Sequence, residues 1–90
     1  MSFEWDENKR QRNLQIHGID FEDAKEIWQR RVLEIQSPQS HHGEHRLLAI
    51  GQTGGRFITV VFTWRGNNRR IISARPARRY ERENYQKEIG

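Results

Sequence analysis

The run from Arg56 to Trp64 constrains this chain more than any other stretch. Phe57, Ile58, Thr59, Val60, Val61, Phe62, Thr63 and Trp64 are β-branched or aromatic throughout, the side chains that suit a pleated surface. Read at period two, Ile58, Val60, Phe62 and Trp64 share one continuously apolar face, which predicts a core strand with Trp64 inside. Phe57, Thr59, Val61 and Thr63 form a mixed second face, half exposed or covered by a partner. Such a strand needs neighbours, and the sequence supplies them. Gln52 to Gly55 reads as a hairpin turn, because adjacent glycines take positive φ without steric cost. Arg46 to Ile50 is the strand before it. Gly66, Asn67 and Asn68 make a second tight turn, and Arg70 to Arg75 is the strand that follows.

Helical signals flank this meander. Phe3, Glu4 and Trp5 alternate as a short first strand. Asp6 is a helix N-cap, and the helix it opens runs from Asn8 to Ile16, closing near His17 and Gly18. Asp20 caps a second helix. Its Phe21, Ala24, Ile27 and Trp28 form one apolar stripe suited to packing on a sheet, and Arg30 and Arg31 end it. Val32, Leu33 and Ile35 suggest a short strand. Residues 37–43, with His41 and His42, read as a polar loop. Pro76 suits the first position of a last helix, over Ala77 to Glu88. The order β-α-α-(β)-β-β-β-α predicts an α+β fold, an antiparallel β-meander packed by two N-terminal helices and one C-terminal helix. Ninety residues suit a single domain, 1–90.

Composition narrows function. There is no Cys, which removes disulfides, thiolate metal sites and Cys nucleophiles. No run approaches the ~18 apolar residues of a membrane span, and Met1 to Asp6 has no apolar signal-peptide core. A soluble, cytoplasmic protein with no membrane partner is expected. Of sixteen cations, thirteen are Arg, whose planar fork matches phosphate and carboxylate. Residues 1–36 carry six cations against eight anions, and residues 37–90 carry ten against four. A basic C-terminal half points to a polyanion, nucleic acid first.

Arg46, Arg56, Arg65, Arg69, Arg70, Arg75, Arg78, Arg79 and Arg82 fall on neighbouring strands or the helix that follows. Strands ~4.8 Å apart let guanidinium groups on one face converge on phosphates. Surface ion pairs explain any single Arg, but four acids cannot occupy ten cations. His17, His41, His42 and His45 do not make a metal site on pattern: two adjacent His rarely point the same way, and no carboxylate sits at a standard offset. No metal and no cofactor is expected. The sequence lacks G-x-x-x-x-G-K-[ST], G-x-G-x-x-G and G-x-S-x-G, and Ser73 lacks the context of a nucleophile elbow.

Several stretches resemble the BrnT family of toxins. They are Phe3 to Asp6 with Lys9, Asn13-Leu14, His17 to Ile19, and Phe21-Glu22 with Ala24. Glu44 with Arg46, Ile50-Gly51, Val61 to Thr63, and Arg70 to Arg75 with Ala77, Glu81-Arg82 and Tyr85 continue the match. The resemblance covers nearly the whole chain, least well over 36–43. It implies a RelE-like α+β fold and a type II toxin–antitoxin system whose toxin is a small endoribonuclease. It also implies neutralisation by a BrnA-type ribbon-helix-helix antitoxin, which binds operator DNA.

The residue inventory permits metal-independent cleavage, in which the RNA 2′-hydroxyl attacks the adjacent phosphorus and translation is inhibited as RNA is lost. Arg46, Arg70 and Arg75 are candidates for charge neutralisation, and Ser73 for a phosphate hydrogen bond. Lys9 and His17 are candidates from the first helix. Glu44 and Glu81 are alternative proton acceptors or hold arginines in place, and the sequence does not choose between these roles. Arg78, Arg79 and Arg82 are candidate substrate cations. Tyr80 and Tyr85 are candidates for stacking on unpaired bases, with packing as the open alternative for each. The alternative is a non-catalytic module that binds nucleic acid or antitoxin.

Overall fold

The computed structural model describes residues 2–38 and 43–90. Its elements are β1 (Ser2–Trp5), α1 (Glu7–His17), α2 (Phe21–Ala24), β2 (Leu33–Gln36), β3 (Leu47–Thr53), β4 (Arg56–Arg65), β5 (Asn68–Pro76) and α3 (Arg79–Glu88). A 3₁₀ segment, Lys25–Gln29, continues α2. The five strands make one sheet in the order β1-β5-β4-β3-β2. The meander β2 to β5 is antiparallel, as the turn signals require, while β1 joins its edge in parallel with β5. The sheet is therefore mixed. The expected loop over 37–43 lies partly outside the described residues, His41 and His42 included.

One sheet face is the main core. Ile58, Val60 and Phe62 of β4 meet Ala49, Ile71 and Ala74 from neighbouring strands and Phe21, Ala24 and Ile27 from the α2 segment, all essentially without exposure. Fully burying a side chain of this size stabilises by about 1.5–3 kcal/mol. Phe21, Ala24 and Ile27 recur every three residues, a spacing that a 3₁₀ segment keeps on one line. This accounts for the second helix tightening after Ala24 instead of running on as α-helix. Gly51 permits the approach, since a Cβ there would sit 2.9 Å from the Ile27 Cβ. Trp64 departs from the expected core face and is 47% exposed. It lies near the end of β4, where the Arg69 guanidinium stacks 4.5 Å from its ring centre and 5.0 Å from that of Trp28.

The polar helix α1 is held by its ends and by one buried side chain. The Asp6 carboxylate accepts from the Asn8 and Lys9 amides at 2.8 and 3.2 Å. Gly18, at φ 68°, closes the other end by donating to the Leu14 carbonyl. Arg10 grips Asp20 with two hydrogen bonds, 2.7 and 3.0 Å, and holds that carboxyl below its usual pKa. Asn13 is the helix's buried residue. Its amide donates to the carbonyls of Ala74 and Ile19 at 2.8 and 2.9 Å, and its Oδ1 accepts from the Ala74 amide at 3.1 Å. β1 pairs only with residues 68–71 of β5. Asn13 thus supplies the hydrogen bonds of a missing strand to the part of β5 that β1 does not reach.

The last helix begins later than its proline suggests. Pro76 still pairs with Ile58, and the Ala77 amide donates to the Phe57 carbonyl at 3.1 Å. That bond keeps the chain extended, so α3 starts at Arg79. Replacing Asn13 by Ala should cost about 2–4 kcal/mol, because it strands the Ala74 amide and carbonyl in the interior. Urea denaturation should read this as a lowered midpoint, while Leu14→Ala, at an exposed neighbour, should stay within about 0.5 kcal/mol. Equal losses at the two positions would overturn the strand-completing role.

Candidate active site

The second face of the sheet carries the site. Across β3, β4 and β5, Leu48 faces Val61 and Val61 faces Ser73, while Ile50 faces Thr59 and Thr59 faces Arg75. α3 covers only part of this face. Tyr85 packs edge-on against Phe57 and its hydroxyl donates to the Arg31 carbonyl at 3.0 Å. Beside the start of α3 the face stays open as a depression of about 260 Å³. Its floor is Leu48, Val61 and Ile72, and its polar lining is Arg46, Ser73, Arg75, Arg78 and Tyr80. The Ser37 and Pro38 side of the chain borders it.

Register explains the convergence. Ser73 and Arg75 are two apart on β5 and share a side of the sheet. Between the Val61–Ser73 and Phe62–Ile71 pairs, β5 carries one residue more than β4. Ile72 is that bulge, and bulges re-aim nearby side chains. Arg46 enters just before β3, with Nε 3.2 Å from Glu44 Oε1. Arg78 and Tyr80 arrive at the β5–α3 junction. Among the described residues no carboxylate pairs with the Arg78 side chain, and none lines the depression.

Arg75 is fixed by a buried clamp. Its Nη1 and Nη2 donate to Glu81 Oε1 and Oε2 at 2.8 and 2.9 Å. Glu81 is fully buried, and its Oε1 also accepts from the Arg78 amide at 2.7 Å and from the Thr59 hydroxyl at 3.0 Å. Burial pulls the Glu81 carboxyl up, but the Arg75 fork, the Arg78 amide and Thr59 outweigh it, and the net pKa lies below the usual 4.5. The same hydrogen bonds, donated to Glu81, raise Arg75, against desolvation. Arg75 therefore stays cationic with one planar orientation. Glu81 has no exposure through which to meet a substrate, so of its two sequence-derived roles the geometry favours that of holding the arginine.

The structure separates the other candidates. Lys9 and His17 lie in an adjoining groove of about 250 Å³ that meets the depression at Ile72 and Ser73. Arg70 points toward the same sheet face but is taken by Glu4, its register partner on β1, at 2.7 Å. The Glu4 carboxyl is lowered by hydrogen bonds from Asn68 and Arg70. Arg79 and Arg82 line a different surface with Glu83, and Arg79 pairs with Glu83 at 3.0 Å. Tyr85 is 7% exposed and belongs to packing, not to base stacking. Sequence reading missed Thr59 as a ligand of Glu81, and Asn13 as the bond that steadies β5 next to Ser73 and Arg75. The spacing of Glu81 three residues after the helix cap was the available signal for the clamp, since a carboxylate there reaches back to the cap amide.

A mixed sheet with one open face, three guanidinium groups, a hydroxyl and a half-exposed phenol in an acid-free depression defines a small α+β domain suited to phosphate esters. The comparisons are more particular. The chain belongs to the BrnT family, the ribonuclease toxins of type II toxin–antitoxin systems, whose profile matches residues 5–81. The crystal structure of the ribonuclease toxin BrnT of Brucella abortus shares 35% identity with it, covers 88% of this chain and 99% of its own, and superposes with a TM-score of 0.64. No curated protein matches the chain significantly. The RelE-like α+β expectation agrees with this fold, and family membership carries with it an RNA substrate and an antitoxin partner. Among the described residues no helix is long and apolar enough to cross a membrane.

Because the folded-state pKa of Glu81 is depressed, its contribution to stability is full above the ordinary value of 4.5 and is lost as pH falls through the lowered one. Glu81→Gln leaves Arg75 without its counter-charge and should destabilise by about 3 kcal/mol at neutral pH. The gap to wild type should narrow as pH drops below 4.5, the usual Glu value. Thermal melts of both proteins across that range check this, and a gap independent of pH would contradict it.

Proposed function

We propose that residues 1–90 act as one catalytic domain that cleaves RNA in the depression between β3, β4, β5 and the start of α3. The observation that carries this reading is the Arg75 guanidinium, held in one plane by a buried carboxylate beside a depression whose lining contains no carboxylate. In the proposed reaction the 2′-oxygen attacks phosphorus, the 2′-O–P bond forms and the P–O5′ bond breaks. The 2′ proton leaves, the 5′-oxygen gains one, and the products are a 2′,3′-cyclic phosphate and a 5′-hydroxyl. This chemistry needs alignment and charge neutralisation more than a new nucleophile. Arg75 and Arg46 bear on the phosphoryl oxygens, Arg78 adds a cation without a carboxylate partner, and Ser73 donates to the phosphate. Tyr80, 48% exposed at the rim, stacks on an unpaired base.

The reading extends to the cell. RNA loss would inhibit translation in the cytoplasm until an antitoxin covers the depression. A BrnA-type ribbon-helix-helix partner, which would carry the pair to operator DNA, fits the resemblance. Its acidic side chains would meet the guanidinium groups. A non-catalytic binding module would retain RNA without cutting it.

Defined RNA incubated with purified protein and EDTA tests the reaction. Wild type should cut it, and intact RNA with and without ribosomes would sink the proposal. Arg75→Lys keeps a cation against Glu81 but loses the fork, and should lower kcat by about 10²–10³ with the fold retained. Tyr80→Phe should behave as wild type, whereas Tyr80→Ala should lose about 1–3 kcal/mol of RNA binding. A Phe variant as impaired as the Ala variant would assign the phenol a proton or hydrogen-bond role instead.

A further inference from the structure

β1 stops after Trp5, so from Ile72 onward β5 has no strand on that side among the described residues, and α1 lies there instead. Lys9, Arg12, Asn13 and Ile16 recur at i, i+3, i+4 and i+7 and share one helix face. Asn13 fixes that face against the Ala74 backbone. The other three therefore turn into the groove together, with His17 at its end. The groove and the active-site depression share Ile72 and Ser73. Neither has a carboxylate in its lining, whereas the concavity beside Gly18 holds Asp20 and Asp23, and that on the outside of α3 holds Glu83. Among the described residues Lys9 and Arg12 meet no carboxylate, although their neighbour Arg10 pairs with both Asp20 and Glu7. Ile16 is 66% exposed, an apolar side chain set among cations. Free cations beside an exposed apolar side chain and an imidazole match a nucleotide, whose phosphate is anionic and whose base has an apolar face.

We propose that the groove between α1 and the edge of β5 is a second nucleotide subsite. Lys9 and Arg12 hold a phosphate neighbouring the scissile one, and Ile16 and His17 pack against the attached base. The substrate strand then runs across Ser73 from one depression into the other. This inference rests on the RNA-cleaving reading above. It replaces the catalytic expectation for Lys9 and His17 with a binding one.

The test measures binding of 2′-O-methyl RNA, which cannot be cut, by fluorescence anisotropy. Two probes are needed: a dinucleotide, and an oligonucleotide of about ten nucleotides, within the range of single-strand sites. Lys9→Ala/Arg12→Ala should weaken binding of the longer RNA about tenfold near 0.1 M salt. It should also make the salt dependence shallower by about 0.7 log units per decade, the share of the one phosphate contact removed. The dinucleotide should bind within about twofold of wild type, and Lys87→Ala, at an exposed cation elsewhere, should change neither probe by more than that. Both altered residues are exposed on α1, and circular dichroism melts should confirm an intact fold. Equal losses on both probes would overturn the subsite. So would unchanged RNA binding with lost affinity for the antitoxin, which would make the groove a protein-docking surface. Failure of wild type to cleave RNA would count against the reaction, but the length-dependent binding loss is decided without any cleavage.

Discussion

A buried carboxylate with four hydrogen-bond donors ties three elements of this protein together. Glu81 belongs to α3, Arg75 to β5 and Thr59 to β4, and the Arg78 amide is the first unpaired donor of the helix itself. Taking a carboxylate out of water costs several kcal/mol, and mutual attraction recovers this only when the remaining oxygen sites are also filled. Here both oxygens accept from Arg75, and Oε1 also accepts from Thr59 and the Arg78 amide. An apolar pair of similar volume would secure α3 equally well, so stability does not explain an ion pair at this position. The arrangement yields something an apolar pair lacks, a guanidinium whose plane is set before any ligand arrives. Pre-setting a donor avoids reorganisation at the moment charge develops.

The same economy recurs on the other side of β5. A short parallel strand covers only half its length, and the remaining edge is satisfied by Asn13 from a helix. Had β1 been longer, the edge would be closed by backbone and no groove would exist beside Ser73. The bulge at Ile72 acts with this. It keeps Ile71 and Ala74 in the core while turning Ser73 and Arg75 to the opposite face, which period-two alternation alone would not allow.

Much of the fold was legible because its signals are local. Alternation in β4, the glycines at 54 and 55, Asp6 with Gly18, and the Phe21–Ala24–Ile27 spacing each act over a few residues. What was not legible depends on partners distant in sequence. Trp64 has the parity of a core residue, but it lies near the end of β4 with the Arg69 guanidinium against its ring, and it stays 47% exposed. Tyr85 could pack or stack as far as the polar α3 sequence goes, and its face is decided by Phe57 and Arg31, far back along the chain. Pro76 is read as a helix start by its own φ, whereas the Ala77 bond to Phe57 decides otherwise. The parallel pairing of β1 could not be read from a four-residue strand. For the site, Arg46, Ser73, Arg75, Arg78 and Tyr80 stood among the candidates together with Lys9, His17, Arg70, Arg79, Arg82 and Tyr85, because residue type and charge do not say which side chains meet. Arg70 shares the open face only through the bulge at Ile72, and its pairing with Glu4 follows from the register of β1.

Charge excess identified the kind of partner without locating it. Arg69, Arg70 and Arg79 pair with Glu34, Glu4 and Glu83, and they contribute to net charge from outside both depressions. Arg30 and Arg31 lie apart from both depressions. The cations that matter for a polyanion are those that face a cavity from which carboxylates are missing. By that measure Arg78 on one side of Ser73 and Lys9 and Arg12 on the other stand out, although two of the three come from the half of the chain that is net acidic. A strand of RNA is read by local fields within about a Debye length, ~8 Å at physiological salt. The path it takes across this surface is therefore set by which arginines and lysines the acids leave unpaired, and not by which half of the sequence holds more of them.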